Sequence, residues 1–318
     1  MVRDRRPTPM LARLESRLPR GQQWRYEPKL DGFRGLLCRS ADEKVRLLSR
    51  NMRDLSPWFP ELVWAANALP GGTILDGEIV IANVRGLSDF GALQQRLTIA
   101  RRATANAARE SPAVLLTFDV LQFAGESLLD QPLVCRRQRL DQLLEDSDGC
   151  LRGVDQTSHV ELAEQWLSLV PGLEGVVAKR ADSRYLPGQR GWVKVKRQRT
   201  ADCVVIGLAG ELARPALVLG LRGEDGELHH FGICRPSGAL ERPCAPVLEP
   251  IGPEQKPIRS RWQHDAVPTW RPVTPTAVVE VAYTLLDGGR WLRQPARFVR
   301  WRLDRSAADC DRSQLAVR

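Results

Sequence analysis

Lys29 stands in the stretch Tyr26-Glu27-Pro28-Lys29-Leu30-Asp31-Gly32-Phe33-Arg34. A lysine at its ordinary pKa of about 10.4 is protonated and inert as a nucleophile. Burial or neighbouring cations favour the free amine and make it reactive. Arginine cannot do this work, because a guanidinium does not deprotonate. The distinction matters here, because only six of the 47 basic residues are lysine: Lys29, Lys44, Lys179, Lys194, Lys196 and Lys256. The same stretch also suits a charged turn through Leu30-Asp31-Gly32 with a solvated lysine, so other residues must decide.

Several segments supply partners for such an amine. Trp192-Val193-Lys194-Val195-Lys196 alternates apolar and basic residues. On a strand this puts both lysines on one face and both valines on the other, and two ammonium groups so placed can straddle a phosphate. Glu174-Gly175-Val176-Val177-Ala178-Lys179 is an apolar strand with an acid before it and a base at its end. Leu75-Asp76-Gly77-Glu78-Ile79-Val80 adds a second acid beside a glycine. Two carboxylates near phosphate-binding lysines suit Mg²⁺ or Mn²⁺, whose remaining positions phosphates and water can fill. Ser49-Arg50-Asn51 closes another strand, and Phe118 sits mid-strand in Leu116-Thr117-Phe118-Asp119-Val120.

The elements that must hold these residues can be read from pattern. Arg34 to Arg39, Val45 to Ser49, Thr73 to Ile81 and Ala113 to Phe123 read as strands. Leu87 to Leu97, Leu133 to Leu144 and Ala163 to Leu169 carry helical spacing. Arg101 to Glu110 suits an exposed helix or a loop equally well. The N-terminal Met10, Leu11, Leu14 and Leu18 suggest a short lead-in packed on the body.

After Arg199 the texture changes to five strand candidates: Cys203 to Leu208, Ala216 to Leu221, Leu228 to Cys234, Ala277 to Tyr283 and Phe298 to Arg302. Few helices intervene, which suggests a small OB-fold barrel. Nine of the 22 prolines fall between Pro236 and Pro275 and predict an irregular excursion. The expected fold class is α+β, with a mixed first domain over residues 1–198 and the barrel over 199–318.

The net charge of +9 over 318 residues raises the expectation of a phosphate-bearing partner. No run approaches the ~18 apolar residues of a membrane span. The seven cysteines are odd in number and contain no Cys-x-x-Cys, which argues against a disulfide framework and for a reducing cytoplasm. The four histidines do not stand at zinc-ligand spacing from them. Six arginines between Arg290 and Arg305 against one acid, interleaved with Trp291 and Trp301, make a stripe suited to a DNA backbone.

In order along the chain come Lys-x-Asp-Gly-x-Arg, Ser-Arg-Asn, Asp-Gly-Glu, Phe-Asp-Val-Leu, Glu-Gly-Val-Val-x-Lys and Val-Lys-Val-Lys. This is the motif series of the covalent nucleotidyltransferases. The chain closely resembles the ATP-dependent DNA ligases. Within them it is most similar to small bacterial ligases related to the ligase module of the end-joining multifunctional enzyme. Gly91-Ala92-Leu93-Gln94-Gln95-Arg96, Thr200-Ala201-Asp202-Cys203-Val204-Val205 and Pro295-Ala296-Arg297-Phe298-Val299-Arg300-Trp301-Arg302 carry the likeness to about Leu315.

The resemblance implies an adenylation domain followed by an OB-fold, with ATP as cofactor and nicked duplex DNA as partner. Lys29 would attack the α-phosphate of ATP, pass AMP to a 5′-phosphate and so allow a 3′-hydroxyl to seal the nick. Glu27 would meet the adenine edge, largely through its backbone, and Phe118 would stack on the ring. Arg34, Arg50 and Glu78 would hold the ribose and orient the lysine. Lys194 and Lys196 would bind the α-phosphate and favour the neutral amine of Lys29. Glu174, with Glu78, would bind the divalent metal, while Lys179 and Arg190 would flank nucleotide or DNA phosphate.

Arg302 and Arg305 would orient the leaving pyrophosphate, although the family commonly ends Arg-x-Asp-Lys and this chain reads Arg302-Leu303-Asp304-Arg305. The resemblance further implies a bacterial, nucleoid-associated monomer acting in DNA repair, with repair or end-joining proteins as partners and no membrane. Lacking the large extra domains of other ligases, it would encircle DNA with its own loops or a partner's help. An RNA ligase, a GTP-using capping enzyme and a non-catalytic DNA-binding scaffold are the alternatives. The Arg-Phe-Val-Arg-Trp-Arg segment argues against capping, and the intact set Lys29, Glu174, Lys194 and Lys196 argues against a scaffold.

Overall fold

The computed structural model describes residues 8–82, 88–145, 149–170, 173–211, 215–236, 245–256, 269–287 and 289–315. The chain falls into two compact units, Met1–Arg197 and Gln198–Arg318. The described strands of the first unit are β1 (Leu11–Leu14), β2 (Trp24–Lys29), β3 (Phe33–Arg39), β4 (Val45–Ser49), β5 (Thr73–Ile81), β6 (Ala113–Phe123), β7 (Glu126–Ser127), β8 (Leu151–Gly153), β9 (Gly175–Arg180) and β10 (Arg190–Lys196). Its helices are α1 (Pro60–Ala65), α2 (Phe90–Arg96), α3 (Thr104–Glu110), α4 (Leu133–Leu144) and α5 (Val160–Leu169). One sheet has the order β1-β10-β9-β2, and the other runs β4-β3-β5-β6-β7 with β8 on β6.

The chain steps from one sheet to the other at Leu30-Asp31-Gly32, between β2 and β3. Only glycine fits at the last of these positions. A Cβ on Gly32 would stand 2.2 Å from the Ile79 carbonyl oxygen. The Asp-Gly of the lysine motif is thus a tight crossing that anchors Lys29 at a sheet end. Gly175 serves the same purpose between β9 and β10, where a Cβ would meet the Val195 carbonyl oxygen at 2.2 Å.

Period two then sorts the four-stranded sheet. Tyr26, Val176, Ala178, Val193 and Val195 pack with Leu18 and with Val160 and Ala163 of α5. Glu27, Lys29, Val177, Lys179, Trp192 and Lys194 are left for the other face. Between the sheets lies a second cluster that includes Met10, Leu36, Leu121, Tyr185 and Trp192. A third, with Leu37, Phe59, Leu62, Leu93, Leu115 and Leu140, joins the six-stranded sheet to α1, α2 and α4.

Element boundaries follow local chemistry. The Asp89 side chain caps α2 by accepting the Ala92 N–H at 2.9 Å, so that helix starts at Phe90. Leu87 of the expected helix lies outside the described residues. Arg101 to Glu110 resolves into a 3₁₀ turn, Arg101–Ala103, followed by α3. The segment has little apolar character because an arginine ties it down. The buried Arg96 guanidinium donates to the Ala107 carbonyl at 2.9 Å, to the Ser111 carbonyl, and to Glu61 of α1 at 2.7 Å. The N-terminal lead-in buries Met10 and Leu18 and leaves Leu14 61% exposed. It does so as a strand, because β10 offers it a free parallel edge.

The second unit contains β11 (Arg199–Ala209), β12 (Ala216–Arg222), β13 (Leu228–Cys234), β14 (Trp270–Pro272), β15 (Val278–Tyr283), β16 (Leu286–Asp287), β17 (Trp291–Leu292) and β18 (Arg297–Trp301). The main path is β13-β12-β11-β15-β18, with β14 also on β11. A parallel bridge joins Cys234 to Ala296, and the Ala296 N–H donates to the Ile233 carbonyl at 2.8 Å. The two end strands therefore meet, and five strands close around Val204, Leu217, Phe231, Val279 and Trp301. That order and closure are those of an OB-fold. The expected α+β class, a mixed two-sheet unit with a following barrel, is the architecture found. Residues 245–256 and 269–275 of the proline-rich stretch hold no helix; 237–244 and 257–268 lie outside the described residues.

Candidate active site

A cleft of about 610 Å³ opens in the first unit along the polar face of the four-stranded sheet. Lys29 comes from the end of β2 and Glu174 from the residue before β9, and the ammonium of Lys29 contacts the Glu174 carboxylate directly. The Glu174 N–H also donates to the Lys29 carbonyl at 3.2 Å, which fixes the two residues together. Lys196 reaches the second oxygen of the same carboxylate, Nζ to Oε1, at 2.7 Å.

One carboxylate thus serves two ammonium groups. Burial pushes the Glu174 carboxyl up, but Lys29 and Lys196 outweigh it and hold it below its ordinary value. Lys194 is pushed down, first by burial and then by the charges of Lys29 and Lys196. Across the cleft, Glu78 on β5 stands opposite Arg34 on β3. Burial raises its carboxyl to about 7, against the pull of Lys29 and Arg34.

The floor is aromatic. Phe118 and Trp192 meet edge to face at 5.8 Å, and Trp192 meets Tyr185 likewise at 5.8 Å. Under this ledge lies a buried ion pair, Lys179 Nζ to Glu27 Oε2 at 2.6 Å. Gln156 donates to the other Glu27 oxygen at 2.8 Å. The Lys179 ammonium sits 4.3 Å from the centroids of both Phe118 and Trp192.

Glu27, Lys29, Arg34, Arg50, Glu78, Phe118, Lys179, Arg190 and Lys194 all line the one cleft. Glu174 and Lys196 join it through their ion pairs with Lys29 and each other. Two of these residues also carry acidic partners. Lys179, expected to flank nucleotide or DNA phosphate, lines the cleft with a side chain that is 1% exposed and paired with Glu27. Arg34, expected to help hold the ribose and orient the lysine, lines the cleft with its Nε and Nη2 donating to both oxygens of Asp76. Its guanidinium carbon lies 4.6 Å from the centroid of the Phe118 ring.

Arg302 and Arg305 belong to the second unit, where Arg302 pairs with Asp202 at 2.9 Å and Asp304 at 2.8 Å. Arg305 approaches Asp202 at 3.5 Å.

Pattern reading missed the residues beneath the site. Asp76 is fully buried and holds Arg34 on one side and the Tyr185 hydroxyl, at 2.7 Å, on the other. Tyr185 in turn accepts the Met10 N–H at 2.8 Å. Asp76 lies in the Asp-Gly-Glu triplet already noticed, so its position was available; its partners were not. Gln156 and Tyr185 carry no local signal.

As to metal, the fit rests on the donor set. Glu78 and Glu174, both close enough to feel the charge of Lys29, offer hard oxygen ligands. Among the described residues no three His, Cys, Asp or Glu side chains gather into a cage. Two carboxylates are a donor set that Mg²⁺ can use, since it takes one or two of them and completes its shell with water and substrate phosphate.

A lysine held at a sheet end beside acids and further lysines, over an aromatic ledge, in a two-sheet unit followed by an OB-fold, defines a covalent nucleotidyltransferase. Residues 9–196 match the model of the ATP dependent DNA ligase domain. The chain belongs to the ATP-dependent DNA ligase family. It is 38% identical over 326 residues to DNA ligase C1 of Mycolicibacterium smegmatis, covering 96% of this chain and 93% of that protein. It is 36% identical over 338 residues to DNA ligase C of Mycobacterium tuberculosis, covering 97% and 93%. Among solved structures it superposes on mycobacterial DNA ligase D complexed with ATP and MES with a TM-score of 0.53. That match has 28% identity and covers 96% of this chain and 97% of the other.

Proposed function

We propose that this DNA ligase seals nicks between a 5′-phosphate and a 3′-hydroxyl in duplex DNA, with Lys29 as the nucleophile. The observation that carries the reading is the convergence on Lys29 of Glu174, Lys194 and Lys196 above the Phe118 ledge. The neutral Lys29 amine attacks the α-phosphorus of ATP, and pyrophosphate leaves with the electrons of the broken P–O bond. An oxygen of the 5′-phosphate then attacks the same phosphorus and releases Lys29. Finally the 3′-hydroxyl attacks the 5′-phosphate and AMP departs. Each displacement depends on positioning and on neutralising phosphate charge.

The chain's residues divide that work. Phe118 stacks on the adenine, and the backbone at Glu27 meets its edge while the Glu27 side chain stays paired below. Lys194 and Lys196 bind the α-phosphate beside the Lys29 amine. Arg50 and Arg190, both exposed at the rim, meet ribose or phosphate. Arg302 and Arg305 engage the leaving pyrophosphate, which requires them to exchange Asp202 for the nucleotide. Glu174 and Glu78 would hold a divalent cation, Mg²⁺ or Mn²⁺, which would supply charge neutralisation for the triphosphate.

The protein acts as a monomer in the cytoplasm on nucleoid DNA, in repair, alongside repair or end-joining proteins. α-Labelled ATP should give an acid-labile protein adduct, absent from Lys29→Ala, and a nicked duplex should be sealed with ATP and not with NAD. Labelling by GTP in place of ATP would sink this reading, and residual adduct in Lys29→Ala would move the nucleophile elsewhere.

A further inference from the structure

Beside the cleft, one tryptophan holds two arginines that have no acidic partner among the described residues. The Cζ of Arg53 lies 5.2 Å, and that of Arg101 5.5 Å, from the ring centroid of Trp58. Both arginines are exposed, as is Arg50 on the same turn as Arg53. Among the described residues, no Asp or Glu pairs with Arg50, Arg53 or Arg101. Elsewhere on the surface arginines do find acids, as in Arg13–Glu15, Arg137–Asp141 and Arg180–Asp182.

The backbones that carry these residues are fixed. The Ser49 N–H donates to the Arg53 carbonyl at 2.8 Å, and the Ser49 hydroxyl accepts the Arg53 N–H at 3.0 Å. Met52 turns the chain between them with a φ of 62°. Arg101 opens the 3₁₀ turn before α3, which Arg96 ties to α1. Trp58 itself packs against the core cluster of the six-stranded sheet. Stacking occupies the face of a guanidinium and leaves its N–H edge for an acceptor, and that edge matches the oxygens of a phosphate. Exposed arginines held close together without acids repel one another, and a polyanion relieves that repulsion.

We propose that Trp58, Arg53 and Arg101 form a seat for the sugar–phosphate backbone of the duplex whose nick is presented to Lys29. The assignment rests on the ligase reading above. Arg50 and Arg53 reach the cleft rim, whereas Arg101 stands outside the cleft lining. A line of charge leading out of the cleft fits a continuing strand better than a triphosphate confined to it.

The test uses the full chain and a nicked duplex whose blocked 3′ end prevents sealing. Arg101→Ala should form the lysine adduct with ATP at the unaltered rate and KM. It should bind the nicked duplex about five- to tenfold more weakly at ~0.1 M salt, and its slope of log K against log salt should be shallower by about 0.9, one phosphate contact. Trp58→Leu should weaken DNA binding similarly, and less than additively in the Arg101→Ala background. Should Trp58→Leu misfold, Arg101→Gln, an exposed change, decides the matter alone. Unchanged affinity and salt slope in Arg101→Ala would overturn the assignment while leaving the ligase reading intact. A raised KM for ATP with unchanged DNA binding would also overturn it, giving these arginines to the triphosphate. Failure of the unaltered protein to form an adduct would defeat the ligase reading itself.

Discussion

Glu78 carries a stability cost that pH should reveal. Its carboxyl is raised from the usual 4.5 to about 7, first by burial and against the attraction of Lys29 and Arg34. In the unfolded chain it ionises near its ordinary value. Between those two points the folded state holds a proton that the unfolded state has lost, so stability falls as pH rises through this window. At ~1.4 kcal/mol per pH unit, the full cost above pH 7 is about 3 kcal/mol. Glu78→Gln removes the titration and keeps the shape.

The variant should therefore match the parent protein below the window and be more stable by about 2–3 kcal/mol at pH 8. It should also lose self-adenylation, because one of the two carboxylates proposed to hold the metal is gone. Equilibrium urea unfolding of both proteins at pH 4.5 and pH 8 measures the difference. If the two proteins differ by the same amount at both pH values, the carboxyl is not raised by burial and the reasoning fails.

Further outcomes follow from the same geometry. Lys196 shares Glu174 with Lys29, so replacing Lys194 and Lys196 by Met removes two cations and leaves that acid to Lys29 alone. The KM for ATP in self-adenylation should rise and its rate should fall, and unchanged kinetics would show that these lysines do not hold the α-phosphate. Lys179→Met strands Glu27 in a site where both side chains are at most 3% exposed. It should cost about 3–5 kcal/mol in urea unfolding, while Lys179→Met with Glu27→Gln should recover much of that; no recovery would mean the pair is not the source. Gly32→Ala should displace the strand crossing at Ile79 and abolish adduct formation more completely than it lowers stability; normal labelling would refute the steric argument.

Much of the site was legible because its chemistry is local in sequence. A lysine that must deprotonate cannot be replaced by arginine, and period two puts Lys194 and Lys196 on one face wherever the strand lies. Strands Val45 to Ser49 and Thr73 to Ile81, and helix Leu133 to Leu144, were legible for a similar reason: apolar pattern and flanking breakers act over a few residues. The crossing at Gly32 was visible as a turn, but its cause, the Ile79 carbonyl, lies on another strand.

Which charges are spent and which are free was decided only by the tertiary structure. Lys179 and Arg34 look in sequence like phosphate and ribose ligands. In the fold they face Glu27 and Asp76, and burial makes such pairing obligatory for a charge removed from water. The same logic picks out Arg53 and Arg101, which the fold brings to Trp58 and which form no ion pair with an acid among the described residues. Motif and period set what each residue is able to do. The three-dimensional neighbours set which of 47 basic side chains remain available to do it.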